Sequence, residues 1–571
     1  MWGRRGLLAW VAGIAGILLI GRVVSTWLAE RWYADALGVV GAFDARVRME
    51  AWLRAGTAAT GFLFALANLL AVRHSIVSMV LPRQLGDLAI GEVVPAGVLT
   101  AIAIALAAVL ALGFAGLTPD TVAVQLAWDG VRFGVEDPYL FHDVGFYVAW
   151  LPFERWLFGT AALIVGAVAA LTVSLYLATP SVRREDGRWH VSGWVRRHMA
   201  LLSGAGLLLW SWSWRLDGLA QVGAGDGAFG AVAHLLVLPA HRAMVGLGAA
   251  CSALVALALW RGRVRLAVVV ASLVVFGSPV VDRSLQTLGE RQGAPNVRED
   301  RDRAYAATRR AFAAWAQDSA VATVAAMAIV AEASSPADQA GAVGGARSTD
   351  SARFAPGAGR YAVVSDPTGA IQAPAFDRFD RRLVQAWALR TPALIRAGRT
   401  LEAPRLLTRR DPVDRIQNVY PFLTAVGPAR LEPGPAGPVW TVDLFVTAAD
   451  FPLVAAGPAA LGVARYARHV GVGVVDAATG AVGIRLSGAP DPVLRAWMAI
   501  APDLFSPARL LPPVLPSSGA GGASPAARDT AAWSALRAAY DTATAASRRS
   551  DRRSFEEAWL RLGRLLGRRA P

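Results

Sequence analysis

The chain has 571 residues, 55% of them hydrophobic and only 17% charged, with a mean hydropathy of +0.41, a composition that excludes a wholly water-soluble protein and puts part of the chain in lipid. Its 57 basic residues are all arginine, which excludes a Schiff-base lysine, a Walker-type phosphate lysine and a lysine general base. The net charge of +15 falls largely in short loops between apolar runs, where it reads as membrane topology, and no nucleic-acid partner is expected.

In chain order, apolar runs delimited by charges cover residues 7–21, 55–72, 93–117, 157–177, 199–214, 243–260 and 266–281. Most approach the ~20 residues needed to cross ~30 Å of hydrocarbon, the fifth and seventh being short. A half-length run, 228–238, ends at Pro239 and has the form of a re-entrant segment. Cys251 is the single cysteine and lies within an apolar run, so neither an internal disulfide nor a thiolate metal site is available.

Arginine asymmetry sets the expected orientation. With the N-terminus cytoplasmic, the cytoplasmic segments hold Arg4, Arg5, Arg73, Arg83, Arg183, Arg184, Arg188, Arg196, Arg197, Arg261, Arg263 and Arg265. The opposite loops carry Asp120, Asp129, Glu136, Asp137, Asp143 and Glu154 against Arg132 and Arg155. Everything after Asp282 is then extracytoplasmic. The "ADA" at 34–36 lies too far past the first apolar core for signal cleavage to be expected.

The second half changes character. Residues 284–315 are charged and helix-prone, and "SSPADQAGAVGGARSTDS" (334–351) reads as a flexible joint. From about 360 to 513 come short alternating segments such as "VWTVDLFVT" (439–447) and "HVGVGVVDAATGAVGIRL" (469–486). The latter has the form of a β-hairpin turning between Asp476 and Gly480. After a linker at 516–529 the chain closes with a basic amphipathic helix in which Ser554 and Glu557 form a capping box and Phe555, Trp559, Leu562 and Leu566 share a face.

These patterns predict an all-α membrane N-terminal half with seven transmembrane helices (1–283), a charged helical segment and joint (284–355), an extracytoplasmic α+β domain (356–513) and a C-terminal helical tail (514–571) in a multi-pass protein of the bacterial plasma membrane. Partners expected are the lipid bilayer and envelope proteins or lipids.

Four motifs in order, "WYADALG" (32–38), "DPYLFHDVGFYVAWLPF" (137–153), "RHMALLSGAGLLLW" (197–210) and "PN...Y..TRRAF" (295–312), resemble uncharacterised protein family 0182. The likeness continues in "DRIQNVYPFL" (414–423), "VWTVDLFVTAADFPL" (439–453), "VVDAATGAV" (474–482) and "DPVLRAWMAIAPDLFSP" (491–507). The resemblance implies seven spans and a large extracytoplasmic region, here in a shortened relative, and implies no reaction.

Candidate chemistry is sparse. The loop residues Asp137, Pro138, His142, Asp143, Tyr147 and Pro152 combine carboxylates, an imidazole and aromatics. Carboxylates and imidazole suit a divalent cation, yet no HExxH-like spacing is present, and an interfacial loop with an aromatic belt is the expectation. Arg215, Asp217, His234, His241 and Arg242 form a second group that could line a polar cavity between helices. "GDGAFG" (225–230) matches GxGxxG without the βαβ context, so no dinucleotide cofactor is expected. No catalytic, cofactor or metal residue is assigned. The leading expectation is a non-enzymatic envelope scaffold or partner-binding protein. The alternatives are a transporter or lipid-handling protein using the 215–242 region, or an envelope glycan or lipid enzyme using Asp443, Asp450, Asp476 or Asp491.

Overall fold

The computed structural model describes residues 4–78, 96–117, 120–179, 188–223, 228–291, 295–317, 353–435, 437–457 and 464–511, with the short pieces 84–85, 88–89, 182–185 and 461–462 and positions 542 and 557. The joint at 334–351, the linker at 516–529 and the terminal amphipathic helix around 554–566 lie outside the described residues, Glu557 apart.

The N-terminal half is helical: α1 (Arg4–Ala36), α2 (Val40–Ser78), α3 (Ala96–Ala115), α4 (Thr121–Asp129), α5 (Leu151–Leu177), α6 (Gly193–Gly223), α7 (Leu238–Trp260), α8 (Val264–Arg291) and α9 (Pro295–Ala316). Two-residue strands β1 (Gln84–Leu85) and β2 (Leu88–Ala89) separate α2 from α3, and the hairpin β3 (Val182–Glu185) and β4 (Arg188–Val191) joins α5 to α6.

Among the described residues, six helical stretches are long and apolar enough, by length and composition, to cross a membrane: Gly13–Ala36, Val40–Val77, Ala96–Ala115, Phe146–Leu177, Ala233–Trp260 and Val264–Gly289. The apolar run at 199–214 forms most of α6, which is 31 residues long. Its C-terminal half alternates tryptophan with serine at 210–214 and then adds Arg215 and Asp217, which dilutes its hydropathy.

The half-length run at 228–238 is not a separate re-entrant element. Helix is continuous from 231 to 260, with a π-turn at Ala233–Val237 leading into α7. Proline lacks an N–H and crowds the carbonyl four residues back. The π-turn, in which Leu238 donates to the Ala233 carbonyl, lets the helix continue through Pro239.

The chain divides into two compact units, one made of residues 44–305 with 449–455, the other of 1–43, 306–448 and 456–571. In the first, α6 and α7 approach closely on small residues. Ser252 donates to the Gly204 carbonyl at 2.8 Å and Ser211 to the Val245 carbonyl at 2.6 Å. A Cβ on Gly248 would lie 3.0 Å from the Ser211 Cβ. Packing of small residues is how helices associate where lipid supplies no hydrophobic drive. Ala65 and Leu69 of α2, Ala103 and Ala107 of α3 and Val168 of α5 form a second buried cluster.

The second unit holds a four-stranded antiparallel sheet in the order β10-β9-β8-β7, from β7 (Leu423–Gly434), β8 (Gly437–Ala448), β9 (Tyr466–Asp476) and β10 (Val482–Leu486). The expected strand at 439–447 lies within β8, and the expected hairpin is β9–β10. Its turn is closed by the Asp476 carboxylate, which accepts from the Ala478 and Thr479 amides, and by Gly480 at φ +72°, a conformation that favours glycine. A two-stranded pair, β5 (Tyr361–Ser365) and β6 (Pro404–Thr408), and the short helices α10 (Phe379–Ala388), α11 (Pro412–Val419) and α12 (Pro492–Ile500) also lie in it.

At its centre lies Arg415 of α11, fully buried. Its guanidinium donates to the carbonyls of Gly480 (2.7 Å), Gln372 (2.5 Å) and Thr408 (3.4 Å) and to the Tyr33 hydroxyl (3.3 Å). It also stacks over the Phe354 ring at 4.4 Å. Helix α1 also belongs to this unit. Glu30 pairs with Arg409 at 2.7 Å, and Arg509 donates to the Leu37 carbonyl.

Candidate functional site

The 137–143 loop in the first unit is built around its two aspartates. Asp137 is fully buried and accepts from the amides of Tyr139 (3.0 Å), Leu140 (2.7 Å) and His142 (3.1 Å) and from the Tyr147 hydroxyl (2.8 Å). Asp143 accepts from the amides of Phe133, Gly134 and Gly145. Pro138 follows the first of these carboxylates directly, and Pro152 sits in the first turn of α5. A carboxylate saturated by backbone N–H groups is fixing a loop. His142 stacks on Phe146 at 4.4 Å, and burial holds its imidazole below the ordinary histidine range, Arg215 and Arg242 acting the same way and Asp137 and Glu136 against it. Among the described residues no group of three or more His, Cys, Asp or Glu side chains could hold a metal ion.

Glu154, which stands out in the sequence only as one of the loop acids, gathers three side-chain donors. It lies on the first turn of α5, 7% exposed. Oε1 accepts from Trp212 Nε1 (2.9 Å) and from the Arg215 guanidinium, and Oε2 from Trp150 Nε1 (3.2 Å). Next to it, Arg155 donates to both oxygens of buried Asp450 at 2.7 Å. Asp450 belongs to the 449–455 segment, whose Phe451 and Leu453 amides bond the carbonyls of Gly223 and Val222 at the end of α6.

The group Arg215, Asp217, His234, His241 and Arg242 is divided among three settings. Arg215 serves Glu154. His234 Nδ1 meets the Tyr305 hydroxyl at 2.9 Å in an aromatic cluster with Tyr139 and Phe229. His241 is 2% exposed, and its Nε2 lies 2.8 Å from Asp282 Oδ1, whose other oxygen accepts from Gln286. Asp217 lies within electrostatic range of His241 and Asp282. Trp214 packs against His241 at 5.1 Å between ring centroids. Among the described residues, His241 Nδ1 and Trp214 Nε1 are buried without a hydrogen-bond partner. Arg242 is exposed.

Two of these settings repeat one device. "FYVAWLPFER" (146–155) and "AHLLVLPAHR" (233–242) align without a gap at leucine, proline and arginine. Each begins with a π-turn, Phe146–Trp150 and Ala233–Val237, closed by the leucine N–H onto the carbonyl five residues back. Glu154 and His241 occupy the same place after the proline, and each meets α6, Glu154 at Trp212 and Arg215, His241 at Trp214 and Gly218. The gapless alignment is the available signal for Glu154. Asp282, Tyr139, Phe229 and Tyr305 carry no such signal, because their roles arise only when distant segments of the chain meet.

In the other unit, the candidate carboxylates are engaged. Asp443 pairs with Arg430 at 2.7 Å and with His469 at 3.3 Å, and the His469 hydrogen bond holds its carboxyl below the ordinary range, with Arg430 adding to the shift against the opposing effect of burial. Asp476 closes the β9–β10 turn. Asp491 caps α12 by accepting from the Leu494 amide at 2.6 Å and also accepts from the Tyr466 hydroxyl.

Burial raises the Asp491 carboxyl above its usual value, opposed by those two hydrogen bonds, Arg468 and Arg495. A carboxyl raised in the fold contributes stability that is fully present below its unfolded pKa and lost as pH rises through the folded one. Asp491→Asn keeps an acceptor for Leu494 without a charge. It is expected to flatten that loss when unfolding midpoints of the purified protein are followed from about pH 4 to pH 8; an unchanged slope would refute the assignment.

Comparison with known proteins places these motifs. The uncharacterised protein family UPF0182 matches residues 7–331 and 369–518. Similar proteins include a UPF0182 protein of Geobacter sp. (strain M21), 32% identical over 164 residues, covering 28% of this chain and 17% of that protein. Another, from Synechococcus sp. (strain CC9311), is 30% identical over 145 residues, 24% of this chain and 15% of the relative. A third, from Geobacter sulfurreducens, is 30% identical over 158 residues, 27% and 18% respectively. The chain thus matches less than a fifth of the length of each. No solved structure matches. With the family's pattern running through most of its length, on both the helical unit and the unit that holds the sheet, the chain belongs to the uncharacterised protein family UPF0182.

Proposed function

We propose that the chain is a non-enzymatic, envelope-facing membrane scaffold or partner-binding protein. In this reading it lies in the bacterial plasma membrane with its N-terminus cytoplasmic, α6 counts as a seventh span, and the α+β domain at 356–513 is extracytoplasmic, with 284–355 as connector and 514–571 as tail. The observation that carries the reading is the engagement of the outer carboxylates: Asp443, Asp450, Asp476 and Asp491 each hold an ion pair, a turn or a helix cap. Groups so engaged are poorly placed to move protons for a glycan or lipid substrate.

The test is purification of the full-length chain from native membranes. A stoichiometric protein partner, retained when Asp443 is replaced by asparagine, supports the scaffold; turnover of an envelope glycan or lipid by the purified chain, lost in the same variant, overturns it. Orientation is tested separately. Reporter fusions after Arg188 and after Gly357 are expected to report cytoplasmic and external placement respectively, and the same side for both would overturn the topology.

A second reading, a transporter or lipid-handling protein, is favoured by one feature, the buried His241–Asp282 pair beside Trp214 on three helices. It requires that joint substitution of His234, His241 and Arg242 abolish transfer while membrane insertion persists; unchanged transfer removes it.

A further inference from the structure

Within the sheet-bearing unit, helix α10 is seated against α1. Arg22, in the middle of an apolar helix, donates to the carbonyls of Trp387 (2.5 Å) and Ala388 (2.6 Å) at the C-terminal end of α10. A cation on the last carbonyls of a helix satisfies groups with no intrahelical partner and meets the negative end of its dipole. The Trp387 indole packs so close to Gly21 that a Cβ there would lie 2.5 Å from it. Arg381, a turn and a half earlier on α10, sits over the Trp32 ring at 5.9 Å. So α10 runs back along α1 between Trp32 and Gly21, inside the stretch Gly13–Ala36 that is long and apolar enough to cross a membrane.

Gln385 and Ala386 form the buried side of α10. Phe379, Leu383 and Trp387, spaced four residues apart and therefore on one face, are 59%, 40% and 36% exposed. Beside them α1 exposes Ile20, Val23, Val24 and Trp27, so the two helices carry one apolar surface. Exposed arginines Arg390, Arg396 and Arg399 follow the helix directly. An apolar stripe with Phe, Leu and Trp, bordered by cations and continuous with a membrane-crossing helix, has the chemistry of the boundary between acyl chains and phosphates.

We propose that α10 is an interfacial helix, with Phe379, Leu383 and Trp387 inserted at the level of the lipid headgroups beside α1 and Arg390, Arg396 and Arg399 on lipid phosphates. Arg22 then has a structural role, because at a depth where an unpaired guanidinium is costly its charge is matched by the end of the inserted helix.

The experiment uses the full chain with Cys251→Ser, reconstituted alone into vesicles of phosphatidylcholine with phosphatidylglycerol. Leu383→Cys or Phe379→Cys carries an environment-sensitive fluorophore, and Leu431→Cys, an exposed apolar position on β7, carries the same label as reference. Both α10 labels are expected to be quenched by lipids spin-labelled high on the acyl chain, and quenched by aqueous iodide about threefold less than the label at 431. Iodide quenching equal to the reference overturns the proposal, because the stripe then faces water. Shielding from iodide without quenching by the spin-labelled lipid overturns it equally, because the stripe is then covered by protein. Having two labelled positions keeps the result readable if one variant folds poorly.

Discussion

Replacing Arg415 with methionine is expected to destabilise the sheet-bearing unit by about 3 kcal/mol, lowering its unfolding midpoint by about 10 °C. Its charge is fully buried and faces carbonyls and a hydroxyl rather than a carboxylate. Where a buried ion pair is replaced by apolar groups the change is often neutral, but here the acceptors are backbone and cannot be replaced with it. The carbonyls of Gly480 and Gln372 would stay buried without their donor. Arg415→Lys is also expected to fail, because one ammonium cannot span acceptors that a planar fork reaches at once. Thermal unfolding in detergent, followed by proteolysis of the 353–511 region, measures both; a midpoint within a degree or two of the parent for either would remove Arg415 from its central place.

Glu154→Ala is the second large effect, about 2–3 kcal/mol in the helical unit. It would leave the indole N–H of Trp150, the indole N–H of Trp212 and the Arg215 guanidinium without their shared acceptor. The figure sits at the lower end for a buried ion pair because the Arg215 side chain is 43% exposed and water compensates part of the loss. Glu154→Gln keeps a carbonyl for one donor and is expected to cost roughly half as much. Tryptophan emission supplies a readout specific to this site: a red shift in Glu154→Ala accompanying the fall in midpoint. An unaltered spectrum with unaltered stability would contradict the geometry.

Local pattern makes much of this fold legible. The alternation in 439–447 lies within β8, and the sequence "DAATG" marks the β9–β10 turn because Asp476 and Gly480 have no other common use at that spacing. Apolar runs locate most of the long helices, since lipid demands length and hydropathy before anything else. Those rules say less where hydropathy and helicity part company. The run at 199–214 is helix, but its tryptophans and serines face Glu154 and α7. The run ending at Pro239 resembles a re-entrant segment because proline reads as a terminator, and the π-turn that carries the helix past it leaves no mark in a single stretch. Only comparison of 146–155 with 233–242 exposes it. The loop at 137–143 is expected from the sequence to be interfacial; what the structure shows is that its Asp137 and Asp143 carboxylates are saturated by backbone amides. What the sequence has no means to express are ties between residues hundreds of positions apart, such as Arg409 with Glu30.

Those distant ties carry a consequence for biosynthesis. Arg155, near the start of α5, has a partner, Asp450, that lies 295 residues later, and Arg509 bonds Leu37 across 472 residues. At a translation rate of about 5–20 residues per second, the wait for Asp450 is roughly fifteen seconds to a minute. During that interval the start of α5 is an incomplete assembly holding an unmatched cation, and α1 is made before the residues that clasp it exist. Ribosome-bound chains halted before residue 449 should therefore present a helical unit more open to protease than the finished protein, and a synthesis defect downstream would register as a fault in helices made long before.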